Sequence, residues 1–184
     1  CGARAEACRE GTLMSYAIVY DSRTGNTEAL ARAVAAALPS EGRLAFGRVD
    51  EVDRAAVAQA DRVYAGFWTN RGDCGDELAE VLASLADKDV FLFGTAGFGA
   101  DETYFAGVMA RVAVHLPESA RIAGTFMCQG RMPASVRARY AQTAEAKPEQ
   151  AARMHQLIEN FDEAASHPDD DDLARLREAV QAAS

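Results

Sequence analysis

The sequence predicts an α/β fold, an open parallel sheet of five strands with helices on both faces. Two observations predict it. Short apolar runs alternate along the chain with stretches whose apolar residues recur at helical spacing. Those runs are apolar enough to be covered on both sides, as strands are in a parallel sheet joined by right-handed crossovers. At 184 residues, without internal repeats or low-complexity linkers, the chain needs one domain only.

Cys1–Leu13 fits no element and reads as an extension expected to be disordered, ahead of a natural start at Met14-Ser15-Tyr16. A mature lipoprotein beginning at Cys1 is the rival reading. Tyr16-Ala17-Ile18-Val19-Tyr20 is the first strand, and a helix should follow over about 26–38, with Leu30, Val34 and Leu38 on one face and Pro39 as its stop. Leu44 and Phe46 mark a second strand at an edge, and residues 52–57 a weak helix. Arg62 to Phe67 is the third strand, and the helix after it keeps Leu78, Val81, Leu82 and Leu85 on one face. Asp89 to Phe93 is the fourth strand. Gly94 to Asp101 reads as a glycine-rich loop, and Phe105, Val108, Met109, Val112 and Leu116 as the face of a helix stopped by Pro117. Arg121 to Met127 is the fifth strand, followed by helical pieces on both sides of Pro148, the second with Met154, Leu157, Ile158 and Phe161 on one face. The domain is expected to end near residue 165. Residues 166–184 read as an acidic tail carrying a surface helix of marginal stability, because the apolar face of Leu173, Leu176 and Val180 is narrow and the Asp169–Asp172 run suits a helix start.

Ser22-Arg23-Thr24-Gly25-Asn26-Thr27 joins the first strand to the first helix through three hydroxyls, an amide and a glycine. A helix N-terminus leaves N–H groups unpaired and carries partial positive charge, so it can hold a phosphate without a cation. The plainer reading is a turn rich in capping residues, although a single cap needs far fewer polar positions than this. The loop lacks the lysine of GxxxxGK[ST], and no GxGxxG follows the first strand.

Tyr20-Asp21-Ser22-Arg23-Thr24-Gly25-Asn26-Thr27, with Ala31 after it, resembles the phosphate-loop signature of the flavodoxin family. The resemblance covers roughly residues 15–161. It implies a flavodoxin-like sheet of order 2-1-3-4-5 and a site for FMN, whose phosphate Ser22, Thr24, Gly25, Asn26 and Thr27 would hold while Arg23 faces solvent as a linker. In such sheets the ligand lies outside the carboxyl ends of the strands where the winding reverses. The loop Trp68–Cys74 and the loop Gly94–Asp101 would then flank the flavin ring. Trp68 and Phe98 are the candidate stacking faces, with a core tryptophan and a sheet-plugging phenylalanine as the plainer readings; Tyr104 is a further choice. By resemblance Thr69 joins this slot and Gly94, Thr95, Ala96 and Gly97 supply backbone contacts to the ring, with Gly97 or Gly99 able to carry a redox-linked peptide flip. The loop departs from the better-known pattern, which carries an acid and a tyrosine soon after its first glycine. The three loops together resemble flavodoxin-like proteins of anaerobic gut bacteria, some found beside a bilirubin reductase.

A net charge of −9 disfavours nucleic acid and anionic membrane and favours a basic protein partner. No apolar run approaches the roughly 20 residues of a membrane span, and four cysteines without a CxxC pair fit a reducing cytoplasm. His115, His155 and His167 show no ligand spacing, so no metal site is expected. Three roles remain: an FMN electron carrier serving a partner reductase, a flavin-dependent reductase acting directly on a quinone, porphyrinogen or tetrapyrrole such as bilirubin, and a flavin-free scaffold. The intact phosphate loop disfavours the scaffold. The absence of a histidine from the three loops favours the carrier, with Asp73, Asp76, Asp101 and Glu102 as its acidic docking rim or as ordinary helix-start acids.

Overall fold

A computed structural model describes residues 14–99 and 101–184; the expected N-terminal extension lies outside the described residues. Five strands, β1 (Tyr16–Tyr20), β2 (Arg43–Arg48), β3 (Arg62–Trp68), β4 (Asp89–Ala96) and β5 (Arg121–Gln129), pair in parallel in the order β2-β1-β3-β4-β5. The helices are α1 (Asn26–Ala37), α2 (Arg54–Gln59), α3 (Asp76–Ala83), α4 (Glu102–Ala113), α5 (Ala134–Ala146), α6 (Ala151–Ala164) and α7 (Asp170–Ala183). None of them is long and apolar enough to cross a membrane.

Alternate residues of each central strand feed two cores, as a two-residue side-chain period requires. Ala17, Val19, Val63, Ala65, Val90 and Leu92 face Val57, Leu78, Val81, Leu82, Val108 and Val112, so α2, α3 and α4 cover one side. Tyr16, Ile18, Tyr64, Phe91 and Phe93 face the other, against Leu30 and Val34 of α1 and Leu176 and Val180 of α7.

The last of these pairings corrects the reading of residues 166–184. Leu176 and Val180 are fully buried, and α7 lies beside α1 as a core helix rather than a surface appendage. Its apolar face is narrow only if alanines are left out. Ala179 and Ala183 pack against the same core as Ala31, Ala33 and Ala35 of α1, and small side chains let two helix axes approach closely. The Arg62 guanidinium, buried beneath the sheet, donates to the Ala183 carbonyl and pairs with Asp89. Arg121, and then Arg62, hold the Asp89 carboxyl below the usual carboxylate range. The helical pair α5–α6 is inserted between β5 and α7. Helix α5 buries no residue, while α6 sinks Met154, Phe161 and Ala164.

Strand β4 also runs further than the sequence indicates. Gly94, Thr95 and Ala96 belong to the strand, in register with Met127, Cys128 and Gln129 of β5. Gly94 is there for close approach, since a Cβ would lie 2.5 Å from the Phe67 ring. The loop after β4 therefore begins at Gly97.

Candidate functional site

The turn from β1 into α1 leaves donors that can meet an anion. Gly25 stands at the helix start with φ +83°, a left-handed conformation open to glycine, and α1 has no side-chain cap. Among the described residues, no acceptor pairs with the N–H groups of residues 23–27. The Ser22 hydroxyl accepts from the Glu28 N–H at 3.2 Å, and the Thr24 hydroxyl accepts from Asn26 Nδ2 at 3.0 Å, so each keeps its own proton for an incoming group. From beneath, Arg48 braces the loop by donating to the Ser22 carbonyl at 2.8 Å. From the β5 side, the Arg131 carbonyl accepts from Asn26 Nδ2 at 2.9 Å.

Two contacts tie this loop to its neighbours. Thr27 is fully buried and shares a hydrogen bond with Thr95 at 3.2 Å, so its hydroxyl joins α1 to β4. Arg23 is exposed. Its guanidinium lies over the Trp68 ring, 5.5 Å from the centroid, where a cation meets the electron-rich face of an indole.

Trp68 ends β3 in register with Thr95, which brings the loops after β3 and β4 side by side. Its indole N–H donates to Asp21 at 2.8 Å, and this bond fixes the plane of the ring. Thr69 N–H donates to the Thr95 carbonyl, and Gly130 N–H to the Ala96 carbonyl. Those carbonyls are therefore spent on protein neighbours. The part of the loop left for a ligand is Gly97, Phe98 and Gly99, with Phe98 49% exposed and edge-on to Tyr104.

The expected docking rim is not continuous. Asp73 accepts from the Cys74 N–H and bonds His115 Nε2 at 3.1 Å, just beyond the C-terminal end of α4, whereas Asp101 caps the start of that helix. Twelve residues, about 18 Å of helix, lie between those two ends. The fold also gathers Asp73, Cys74 and His115, and separately His167, Asp169 and Asp172, which no sequence spacing announces. Burial pushes the Cys74 thiol up to about 12 and raises that of Cys128 as well, so neither is a thiolate at neutral pH. Asp172 is consumed by His167, Arg175 and the capping of α7.

Asp21, Arg48, Gln129 and Asn160 were not singled out from the sequence. Asp21 lies inside the loop motif itself, whereas nothing near the others in the chain marks them.

A model of the flavodoxin domain matches residues 17–181. The chain belongs to the flavodoxin-domain family. The flavodoxin-like domain-containing protein BilS of Clostridium symbiosum is 37% identical over 177 residues, covering 89% of this chain and 93% of that protein. BilS of Clostridioides difficile is 27% identical over 162 residues, covering 87% and 90%. Among solved structures, oxidised Flavodoxin 2 from Bacillus cereus superposes with a TM-score of 0.53 at 17% identity, covering 92% of this chain and 97% of that one. The rubredoxin oxygen:oxidoreductase of Desulfovibrio gigas gives 0.51 at 16% identity, covering 91% of this chain and 34% of the larger one. At such identities the two structures show the fold alone, the same layered parallel sheet.

Family membership makes this chain a flavoprotein, and its residues fit a flavin. Unpaired N–H groups and two hydroxyl protons meet at the start of α1, and an indole of fixed plane stands at the slot. Thr69 Oγ1, in the loop after β3, is buried without a hydrogen-bond partner, a costly condition that a ligand at the slot would relieve. Trp68 is the single tryptophan, so its emission reports on this slot alone. Titration with FMN is expected to quench most of it; unchanged emission at saturation would remove Trp68 from the ring site.

Proposed function

We propose that the protein binds FMN and works as a one-flavin electron carrier for a partner reductase. The observation that carries the reading is the row of unpaired N–H groups at residues 23–27, flanked by the free hydroxyl protons of Ser22 and Thr24. That set suits a phosphate dianion and has no counterpart to meet in a flavin without one. When bound, the flavin supplies the chemistry of accepting and releasing electrons. The chain's residues hold the phosphate, set the plane of Trp68 through Asp21, and present Phe98 at the loop tip.

The carrier is favoured over an enzyme because, among the described residues, His115, His167 and Asp21, the groups best suited to move a proton, are already paired. His115 is tied to Asp73 at the far end of α4, His167 to Asp172 at the start of α7, and Asp21 is occupied by the indole. A net charge of −9 suits a basic docking face. Asp76, Asp101 and Glu102, at the starts of α3 and α4, are the acids left to meet it.

The resemblance to proteins found beside a bilirubin reductase makes such a reductase the partner to assay first. The purified protein should show bound-flavin absorbance and release FMN on denaturation. Once reduced and mixed with bilirubin, it should be reoxidised quickly only when the reductase is present. Quick reoxidation by bilirubin alone would overturn the carrier reading in favour of direct reduction, and a protein that takes up no FMN would overturn both.

A further inference from the structure

One side chain holds the loop after β4 from outside the sheet. Asn160, on α6, donates from Nδ2 to the Gly97 carbonyl at 2.9 Å and accepts at Oδ1 from the Gly99 N–H at 3.1 Å. Gln129, the last residue of β5 and itself buried, donates to the same Oδ1 at 3.3 Å. Phe161 next to it is buried, which sets the face of α6 and the reach of Asn160. A single planar amide thus closes on both peptides that flank Phe98.

The N–H and C=O of a trans peptide point in opposite directions. With the Gly97 carbonyl and the Gly99 N–H turned toward Asn160, Phe98's own carbonyl and N–H are turned away from it. Gln129 shows that Asn160 stands on the β5 side of the loop. The β3 loop, with Trp68 and the unpartnered Thr69 hydroxyl, lies on the other side of β4. Among the described residues, neither the N–H nor the carbonyl of Phe98 has a hydrogen-bond partner. One free donor and one free acceptor therefore face the slot, held by a residue that does not enter it. Glycines at 97 and 99 would otherwise leave this stretch wide conformational freedom, which ligand binding would have to remove.

We propose that Asn160 is a positioning residue for the flavin ring: by clamping the peptides on both sides of Phe98 it aims that residue's N–H and carbonyl at the edge of the bound heterocycle. The inference rests on the flavin reading above. A flavin edge carries carbonyls and an N–H, complementary to such a pair. The clamp also resists reorientation of either peptide, since turning one over breaks a bond to Asn160. The inserted α5–α6 pair thereby gains a role in setting the flavin's potential without touching the flavin.

The test compares Asn160→Ala and Asn160→Asp with the parent chain. The aspartate keeps the acceptor for Gly99 and Gln129 but loses the donor to Gly97, and its similar shape guards against a variant that merely fails to fold. Amide exchange at Gly99 of the flavin-free protein, dissociation constants for FMN and for riboflavin, and the midpoint potentials of the bound flavin are measured in parallel. Exchange should quicken in N160A, both ligands should weaken by the same factor, about tenfold, and the potentials should shift. Quickened exchange with unchanged riboflavin affinity and unchanged potentials would overturn the proposal, as would a loss confined to FMN, which would connect Asn160 to the phosphate. A parent chain that binds neither ligand overturns the flavin reading itself; a parent that binds both, with indifferent variants, overturns this proposal alone.

Discussion

Replacing Leu176 by alanine is expected to cost about 2–5 kcal/mol of folding stability, the range for truncating a fully buried leucine and leaving part of its volume empty. Leu176 is completely inaccessible, between α1 and the side of the sheet formed by Tyr16, Ile18, Tyr64, Phe91 and Phe93. The space cannot close easily, because those rings pack against one another, Tyr16 edge-on to Tyr64 and Tyr64 tilted on Phe91. A urea midpoint well below that of the parent, with an unchanged slope, is the expected measurement. Removal of residues 170–184 should abolish cooperative unfolding, since Leu176, Val180 and the acceptor for Arg62 leave together. A variant at Leu176 within about 0.5 kcal/mol of the parent, the usual range for surface positions, would return α7 to the role of an appendage.

The second large effect concerns the phosphate. Ser22→Ala with Thr24→Ala removes the two hydroxyls whose protons remain free, and a hydrogen bond to a charged group is worth about 1.5–3 kcal/mol. FMN affinity should therefore fall by roughly two to four orders of magnitude, while riboflavin, which lacks the phosphate, should bind nearly as before. Because Ser22 also accepts from the Glu28 N–H, the same variant should lose about 1 kcal/mol of stability, read separately from the urea midpoint. Equal losses for the two ligands would show that the loop does not hold the phosphate. Thr27→Ala should behave differently, acting on stability through its buried contact with Thr95.

How far the site could be read from the sequence follows from how locally each part is made. The polar turn after β1 is contiguous: strand, turn and helix start lie within a dozen residues, and Gly25 takes the left-handed backbone that the turn demands. The loop after β4 was legible in kind but not in extent. Whether Gly94, Thr95 and Ala96 are loop or strand depends on β5 continuing to Gln129 beside them, and composition near residue 94 carries no trace of that. The contact of Arg23 with Trp68 is not legible in the sequence because the two lie 45 positions apart along the chain. Asn160 is 63 residues from the Gly97 carbonyl it holds, on a helix whose pattern shows only a face to bury.

By itself the sequence determined the five strands, the helices between them, the covering of both sheet faces and the polar turn between β1 and α1, since periodicity and turn chemistry are properties of neighbouring residues. The tertiary structure alone decided which side chains are already committed. It spent Thr27 on Thr95, Asp21 on Trp68 and Asp73 on His115, put the C-terminal helix into the core, and turned a distant asparagine onto the loop after β4. The physical reason is that hydrogen bonds and close packing act over a few ångströms of space and take no account of distance along the chain.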